Sequence, residues 1–319
     1  MATSAAVSVA SGSWCNPQTR SVSKPQSPPM AFLSSPQIGH KSLIRPLRSN
    51  NGVSPVGPRR NMPGLVVKAS VDGNVEVFTK EYLAVSLAKY VADLSQQFIQ
   101  DRGYFTVVLS GNSVKYLRKL VEPPYVNTIP WSKWQIFWVD ERVVPKTHVD
   151  SNYKLAYDGF ISKVPIPPYN VYSIDDALPA EGVADVYETT LRRLVAGNVI
   201  ASSTQTKFPK FDLILLDMGP DGQVGALFPN HPVVNESTKW VTYVKDAPKP
   251  PPERITLTLP VINSASNIAM VVTGAGKADA VYTAIEKEET YPKLPVQMVS
   301  PEGELKWFLD KGAASKLYK

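Results

Sequence analysis

Cysteine is all but missing: 319 residues carry one, Cys15. The rest of the chain therefore has no disulfide framework, no thiol nucleophile and no thiolate metal site. Histidine is nearly as scarce, at three (His40, His148 and His231), too few for a histidine-rich zinc site once His40 is set aside with the N-terminal segment. No uninterrupted apolar run approaches the roughly 18 residues needed to cross a bilayer, so no membrane partner is expected. Acids are absent locally. From Met1 to Ser70 there is no Asp or Glu, while Arg20, Lys24, Lys41, Arg45, Arg48, Arg59, Arg60 and Lys68 are basic and Ser recurs throughout. That is the composition of an organelle transit peptide. The start, Met-Ala-Thr-Ser-Ala-Ala, is similar to a plastid leader, and Val66-Val67-Lys68-Ala69-Ser70 resembles a plastid processing site.

Residues 1–69 are thus expected to be a disordered transit peptide for the chloroplast stroma, and residues 70–319 a single α/β domain. Setting the leader aside changes the electrostatics. The full chain has a formal charge of +6, but removing eight basic groups from 34 leaves 26 against 28 acids, a net −2. The basic excess therefore gives no reason to expect nucleic acid. Near the end, Ser315-Lys316-Leu317 spells a peroxisomal tripeptide, but Tyr318 and Lys319 follow it. Because that signal is read at a free C-terminus, plastid delivery alone is expected.

What is present is an alternation of strand and helix patterns. "NVEVF" reads as a strand, and Thr79 stands where it caps a helix with Ala84, Leu87, Val91, Leu94 and Phe98 at helical spacing. "FTVVL" is a β-branched strand, followed by "SGNS" and a helical "VKYLRKLV". "WQIFWV" is another strand and ends in "DERVVP". The helix "AEGVADVYETTLRRLVAG" stops at Gly197, a natural C-terminal cap. "FDLILLDM" and "NIAMVVT" are apolar at consecutive positions, the mark of strands covered on both faces. The expected fold is a three-layer α/β domain, a largely parallel, Rossmann-like sheet with helices on both faces. The segments "SSTQTKFPK" and "KDAPKPPPER" read as loops within it.

In such sheets ligands settle at the carboxyl ends of strands, and four of these ends are polar or glycine-rich. Ser110-Gly111-Asn112-Ser113 opens a helix, so its amides and hydroxyls suit a phosphate, although these are also ordinary turn and cap residues. Asp140-Glu141-Arg142 places a guanidinium able to hold an oxyanion where the sheet meets solvent, or is simply a solvated strand terminus. Arg254 and Lys277 supply positive charge on further sides, each a routine surface residue if taken singly. In "MGPDGQVGALFPNHP", Gly219, Pro220 and Gly222 force a tight excursion with Asp221 at its apex. Asp221 orients a base or water there, or else caps a helix over "VGALF".

Together the stretches "VVLSGNS", "FWVDERVVP" with "SNY" after it, "DLILLDMGPDGQVGALFPNHP", "RITLTLPVINSA", "VTGAGKA" and "WFLDKGAA" resemble the 6-phosphogluconolactonase family, within the wider group that includes glucosamine-6-phosphate deaminases. The resemblance spans nearly all of residues 75 to 314. It implies hydrolysis of 6-phosphogluconolactone to 6-phosphogluconate in the oxidative pentose phosphate pathway, without a metal or organic cofactor; a monomer is expected. Ser110, Gly111, Asn112, Ser113, Arg254 and Lys277 would bind the phosphate, and Asp221, Gln223 and Arg142 would form the catalytic group. The family pattern has His where this chain has Gln223. A carboxamide positions water but has no proton-accepting pKa near neutrality. His231 and His148 are the available substitutes, and a sugar-phosphate-binding protein with impaired turnover is the alternative. Deamination of glucosamine 6-phosphate is a third.

Overall fold

The computed structural model describes residues 65–66, 74–287 and 291–317. Apart from Leu65–Val66, the expected leader lies outside the described residues. The strands are β1 (Leu65–Val66), β2 (Val75–Phe78), β3 (Phe105–Leu109), β4 (Trp134–Trp138), β5 (Asp140–Arg142), β6 (Ala201–Ser202), β7 (Pro209–Lys210), β8 (Leu213–Leu216), β9 (Val241–Val244), β10 (Arg254–Leu257), β11 (Asn267–Val272) and β12 (Glu304–Asp310). The α-helices are α1 (Lys80–Arg102), α2 (Tyr125–Thr128), α3 (Asn152–Gly159), α4 (Ala180–Ala196), α5 (Leu259–Asn263) and α6 (Ala278–Ile285).

Six strands form an all-parallel sheet in the order β2-β12-β11-β8-β3-β4, and β1 is added antiparallel at the β2 edge. Consecutive side chains of a strand point to opposite faces, and β8 shows why an uninterrupted apolar run is required. Leu213 and Leu215 are buried on one face with Leu83, Leu87 and Val91 of α1. Ile214 and Leu216 are buried on the other with Val183, Tyr187 and Leu191 of α4. The expected layering and parallel order are those observed.

Three local expectations fare differently. "VKYLRKLV" is wound as a 3₁₀ helix over Gly111–Val121. Its buried apolar residues Val114, Leu117 and Leu120 recur every third position, which aligns them on one row at three residues per turn. α4 does stop at Gly197, whose N–H caps it on Arg193 O, but Gly197 keeps φ at −85° and the left-handed step falls on Asn198 at φ 58°. No helix forms over "VGALF": Val224 instead bridges Met218 and Leu227, so Asp221 caps nothing.

A second sheet, marked by no pattern in the sequence, packs beside the first. β5, β10 and β9 pair antiparallel, with Arg254 opposite Arg142 and Thr256 opposite Asp140. Val139 joins the two sheets: its N–H donates to Leu109 O of the parallel sheet at 2.9 Å, and its carbonyl accepts from Leu257 N of the antiparallel one at 2.7 Å.

Candidate active site

Strand order reverses between β3 and β8, where the chain runs outward to β4 and later returns on the other side of β3. Ligands of open parallel sheets lodge at such a point. A hollow of about 300 Å³ opens there, lined by residues that follow β3 and β8 and by the β5 and β10 strands.

The β3 end contributes Ser110, Gly111 and Asn112. Gly111 takes φ 36°, in the region that favours glycine, so the left-handed step falls there and not on Asn112. Across the reversal point, Asp217 N donates to Ser110 Oγ at 3.4 Å. Asp217 in turn accepts Lys277 Nζ at 2.7 Å through Oδ1, so that lysine is held against the floor of the hollow.

On β5, alternation sends Asp140 and Arg142 to the hollow and Glu141 away from it. Glu141 accepts from the backbone amides of Asn152 (2.7 Å), Tyr153 (2.7 Å) and Arg142 (2.8 Å), and from Ser151 Oγ (3.2 Å). It thereby fixes the start of α3, where Ser151 caps through Lys154 N and Asn152 lines the site. Burial pushes the Glu141 carboxyl up to about 7, against those backbone hydrogen bonds. Arg142 donates Nη1 to Asp150 O at 2.6 Å, while its buried Nε has no partner among the described residues. A buried, unspent N–H of a cation is a ready donor to an anionic ligand.

Arg254 is 3 % exposed and lies opposite Arg142 on the neighbouring strand. Burial lowers its pKa first, and Arg142 lowers it further. Its Nη2 donates to Lys249 O at 2.8 Å and its Nε to Pro251 O at 3.1 Å, which folds the proline-rich loop over the rim. That loop delivers Lys249, whose Nζ meets Gln223 Oε1 at 2.7 Å and Asp221 Oδ2 at 3.1 Å. Gln223 donates Nε2 to Gly225 O at 3.2 Å. Its amide thus ties the turn to Lys249. The turn closes through Gly219 N to Gln223 O at 2.9 Å, and a Cβ on Gly219 would stand 2.4 Å from Asp221 Oδ1 and 2.5 Å from Gln223 Cγ, so any larger residue would push those two side chains aside.

Of the residues picked from sequence, Ser110, Gly111, Asn112, Arg142, Gln223, Arg254 and Lys277 line this one hollow. Ser113 and Asp221 do not. Ser113 is buried with its hydroxyl on Ser110 O at 2.5 Å, and Asp221 stands behind the lining on Lys249. His231 pairs with Asp246 at 3.0 Å and borders a different hollow with Tyr291. His148 accepts from Asp150 N and lines neither. Lys249, Asp140, Asp217 and Asn152 were not picked out individually. Lys249 sits in a run of prolines that reads as surface loop, and Asp140 reads as one charge of a solvated trio. Among the described residues no group of three or more His, Cys, Asp or Glu is placed to hold a metal ion, and no helix is long and apolar enough to cross a membrane.

The Ser110–Gly111 loop, four cations and two carboxylates gather at the switch point of a parallel sheet, a lining suited to an anionic ligand. The chain belongs to the family described as glucosamine-6-phosphate isomerases/6-phosphogluconolactonase, whose model matches residues 79–307. It is 53% identical, over 99% of both chains, to the probable 6-phosphogluconolactonase 4, chloroplastic, of Oryza sativa subsp. indica. It is 60% identical to the 6-phosphogluconolactonase 3, chloroplastic, of Arabidopsis thaliana, over 76% of this chain and 75% of that one. The crystal structure of 6-phosphogluconolactonase from Thermotoga maritima superposes with a TM-score of 0.63 at 25% identity, covering 74% of this chain and 99% of that one.

Proposed function

We propose that this protein hydrolyses 6-phospho-D-glucono-1,5-lactone to 6-phosphogluconate. The observation that carries the proposal is the convergence of Arg142, Lys249, Arg254 and Lys277 with the Ser110–Gly111 loop on one hollow, in a chain whose relatives bear the lactonase name. The phosphate would take the Gly111 and Asn112 amides, Lys277 and Arg254. The lactone ring then points toward Arg142, Gln223 and Lys249. As water adds to the lactone carbonyl, its oxygen gains negative charge, and the unspent Arg142 Nε and the Lys249 ammonium are the donors held there before the reaction begins.

Gln223 in this scheme holds Lys249 in place. A general base typically contributes about 10²- to 10⁴-fold, so the base is sought elsewhere in the hollow. Lactone hydrolysis by the purified chain, with the spontaneous rate subtracted, tests the proposal. Turnover above background is expected. Tight binding of 6-phosphogluconate with no turnover would instead mark a sugar-phosphate-binding protein, and ammonia release from glucosamine 6-phosphate a deaminase. The Gln223→His variant is the control: similar rates in both place the base away from position 223.

The relatives' chloroplastic names and the acid-free first 70 residues support delivery to the plastid stroma, with residues 1–69 as transit peptide and a monomeric single domain from residue 70. A fluorescent fusion that leaves the C-terminus unblocked should appear in plastids only, and peroxisomal signal would contradict this.

A further inference from the structure

A lactone hydrolase needs a group that accepts a proton from the attacking water, and the carboxamide of Gln223 is not one. Both of its polar ends are also engaged, with Lys249 and with Gly225 O. Among the described residues the lining offers two carboxylates, Asp140 and Asp217. Asp217 spends Oδ1 on Lys277 Nζ and Met218 N, both at 2.7 Å. Asp221, behind the lining, is tied to Lys249 and accepts Gln223 N at 3.4 Å.

Asp140 differs. It is 6 % exposed and pairs with no lysine among the described residues; its carbonyl accepts Asn152 Nδ2 at 2.9 Å, and the same side chain acts on its carboxyl. It sits beside the turn that carries Gln223: a Cβ on Gly225 would lie 3.8 Å from Asp140 Cβ, and Gly225 O is the acceptor of Gln223 Nε2. The groups that act on its carboxyl are Arg142 on its own strand, Arg254 on β10, Asp217 at the end of β8 and Asn152 at the start of α3. Glu141, on the same strand, turns away to α3, and Asp150 faces Arg254. Burial raises the Asp140 pKa above the ordinary carboxylate range, partly opposed by Arg142 and Arg254. A carboxylate so placed is a stronger proton acceptor than one in water.

We propose that Asp140 is the general base of this protein, in place of the family's histidine. The assignment rests on the lactonase function proposed above. Asp140 takes one proton from water as the water oxygen bonds to C1 of the lactone, giving a tetrahedral oxyanion. The oxyanion collapses, the bond from C1 to the ring oxygen breaks, and the proton passes from Asp140 to that oxygen as it becomes the C5 hydroxyl. That transfer leaves Asp140 ionised again, and the new carboxylic acid releases its own proton to solvent.

The test is Asp140→Asn in the full chain. Background-corrected kcat should fall at least about 100-fold, with KM and the affinity for 6-phosphogluconate within about threefold of wild type. An acid needed only to balance the two arginines would instead change KM and product affinity. An active wild type with an equally active Asp140→Asn, or a variant in which KM carries the loss, overturns the assignment alone. A wild type with no turnover overturns the lactonase function, and the base with it. Should the variant fail to fold, wild-type kcat against pH decides. It should fall on the acid side through one ionisation above the ordinary carboxylate range, and a kcat that is flat from about pH 5 to 8 overturns the proposal.

Discussion

Arg142 and Arg254 face each other directly across an antiparallel pair, an arrangement that costs free energy when both are charged. Asp140 offsets part of that cost, and an anionic ligand would offset more. Lys277 is simpler, since its ammonium is the far end of a flexible side chain held only by Asp217. Lys277→Ala should raise KM about tenfold, equivalent to about 1.4 kcal/mol of binding, with kcat changed far less. Steady-state kinetics on the lactone reads this. Glu141 makes a prediction in stability. Its folded pKa, about 7, lies above the ordinary value of about 4.3 for an exposed glutamate, so between those limits the folded state binds more protons than the unfolded one. Its contribution is therefore fully present below about pH 4 and is lost as pH rises toward 7, by up to about 4 kcal/mol. In Glu141→Gln this slope should vanish, measured as the difference between wild type and variant in denaturant midpoint across that window.

Among the elements, β8 and the turn after it are the sharpest tests. Leu215 is fully buried within the parallel sheet, so Leu215→Ala should cost about 2–5 kcal/mol of stability in chemical unfolding. Gly219→Ala should leave stability much less affected but drive Asp221 and Gln223 aside, cutting kcat/KM at least tenfold. A variant with wild-type kcat/KM would show that the turn geometry does not matter. These elements also show what the sequence could reveal. The parallel strands were legible because burial on both faces leaves a continuous apolar run, as in Leu213–Leu216. β5 was not, because Asp-Glu-Arg reads as a solvated end. Asp140 and Glu141 are buried, and Arg142 half-buried, through partners distant in sequence, Arg254 and Thr256 across the strand and the α3 amides on Glu141. The 3₁₀ winding of Gly111–Val121 was similarly hidden, since helical periods of 3.0 and 3.6 are hard to separate over three apolar residues. Most of the hollow was found from strand ends and family motifs. Lys249 was missed because its place depends on Arg254 holding its carbonyl.

Across the whole molecule, ligand and stability are linked, because a hollow built from both sheets forms only when both are folded. Saturating 6-phosphogluconate should raise the unfolding midpoint, by the equivalent of about 2.7 kcal/mol at a hundredfold excess over Kd, and glucose without phosphate should not. The Ser315-Lys316-Leu317 tripeptide belongs to the folded body as well. Leu317 is 1 % exposed within the larger core and Lys316 pairs with Asp279, so a receptor gripping those three residues would first have to unpack them.

Val139 carries the widest consequence. Its amide hydrogen belongs to one wall of the crevice and its carbonyl oxygen to the other, so a single peptide step sets how far apart the walls stand. An extra residue spliced in at that junction would turn Asp140 and Arg142 to the opposite side of their strand, exchanging them for Glu141 and leaving the scaffold with a blind cleft.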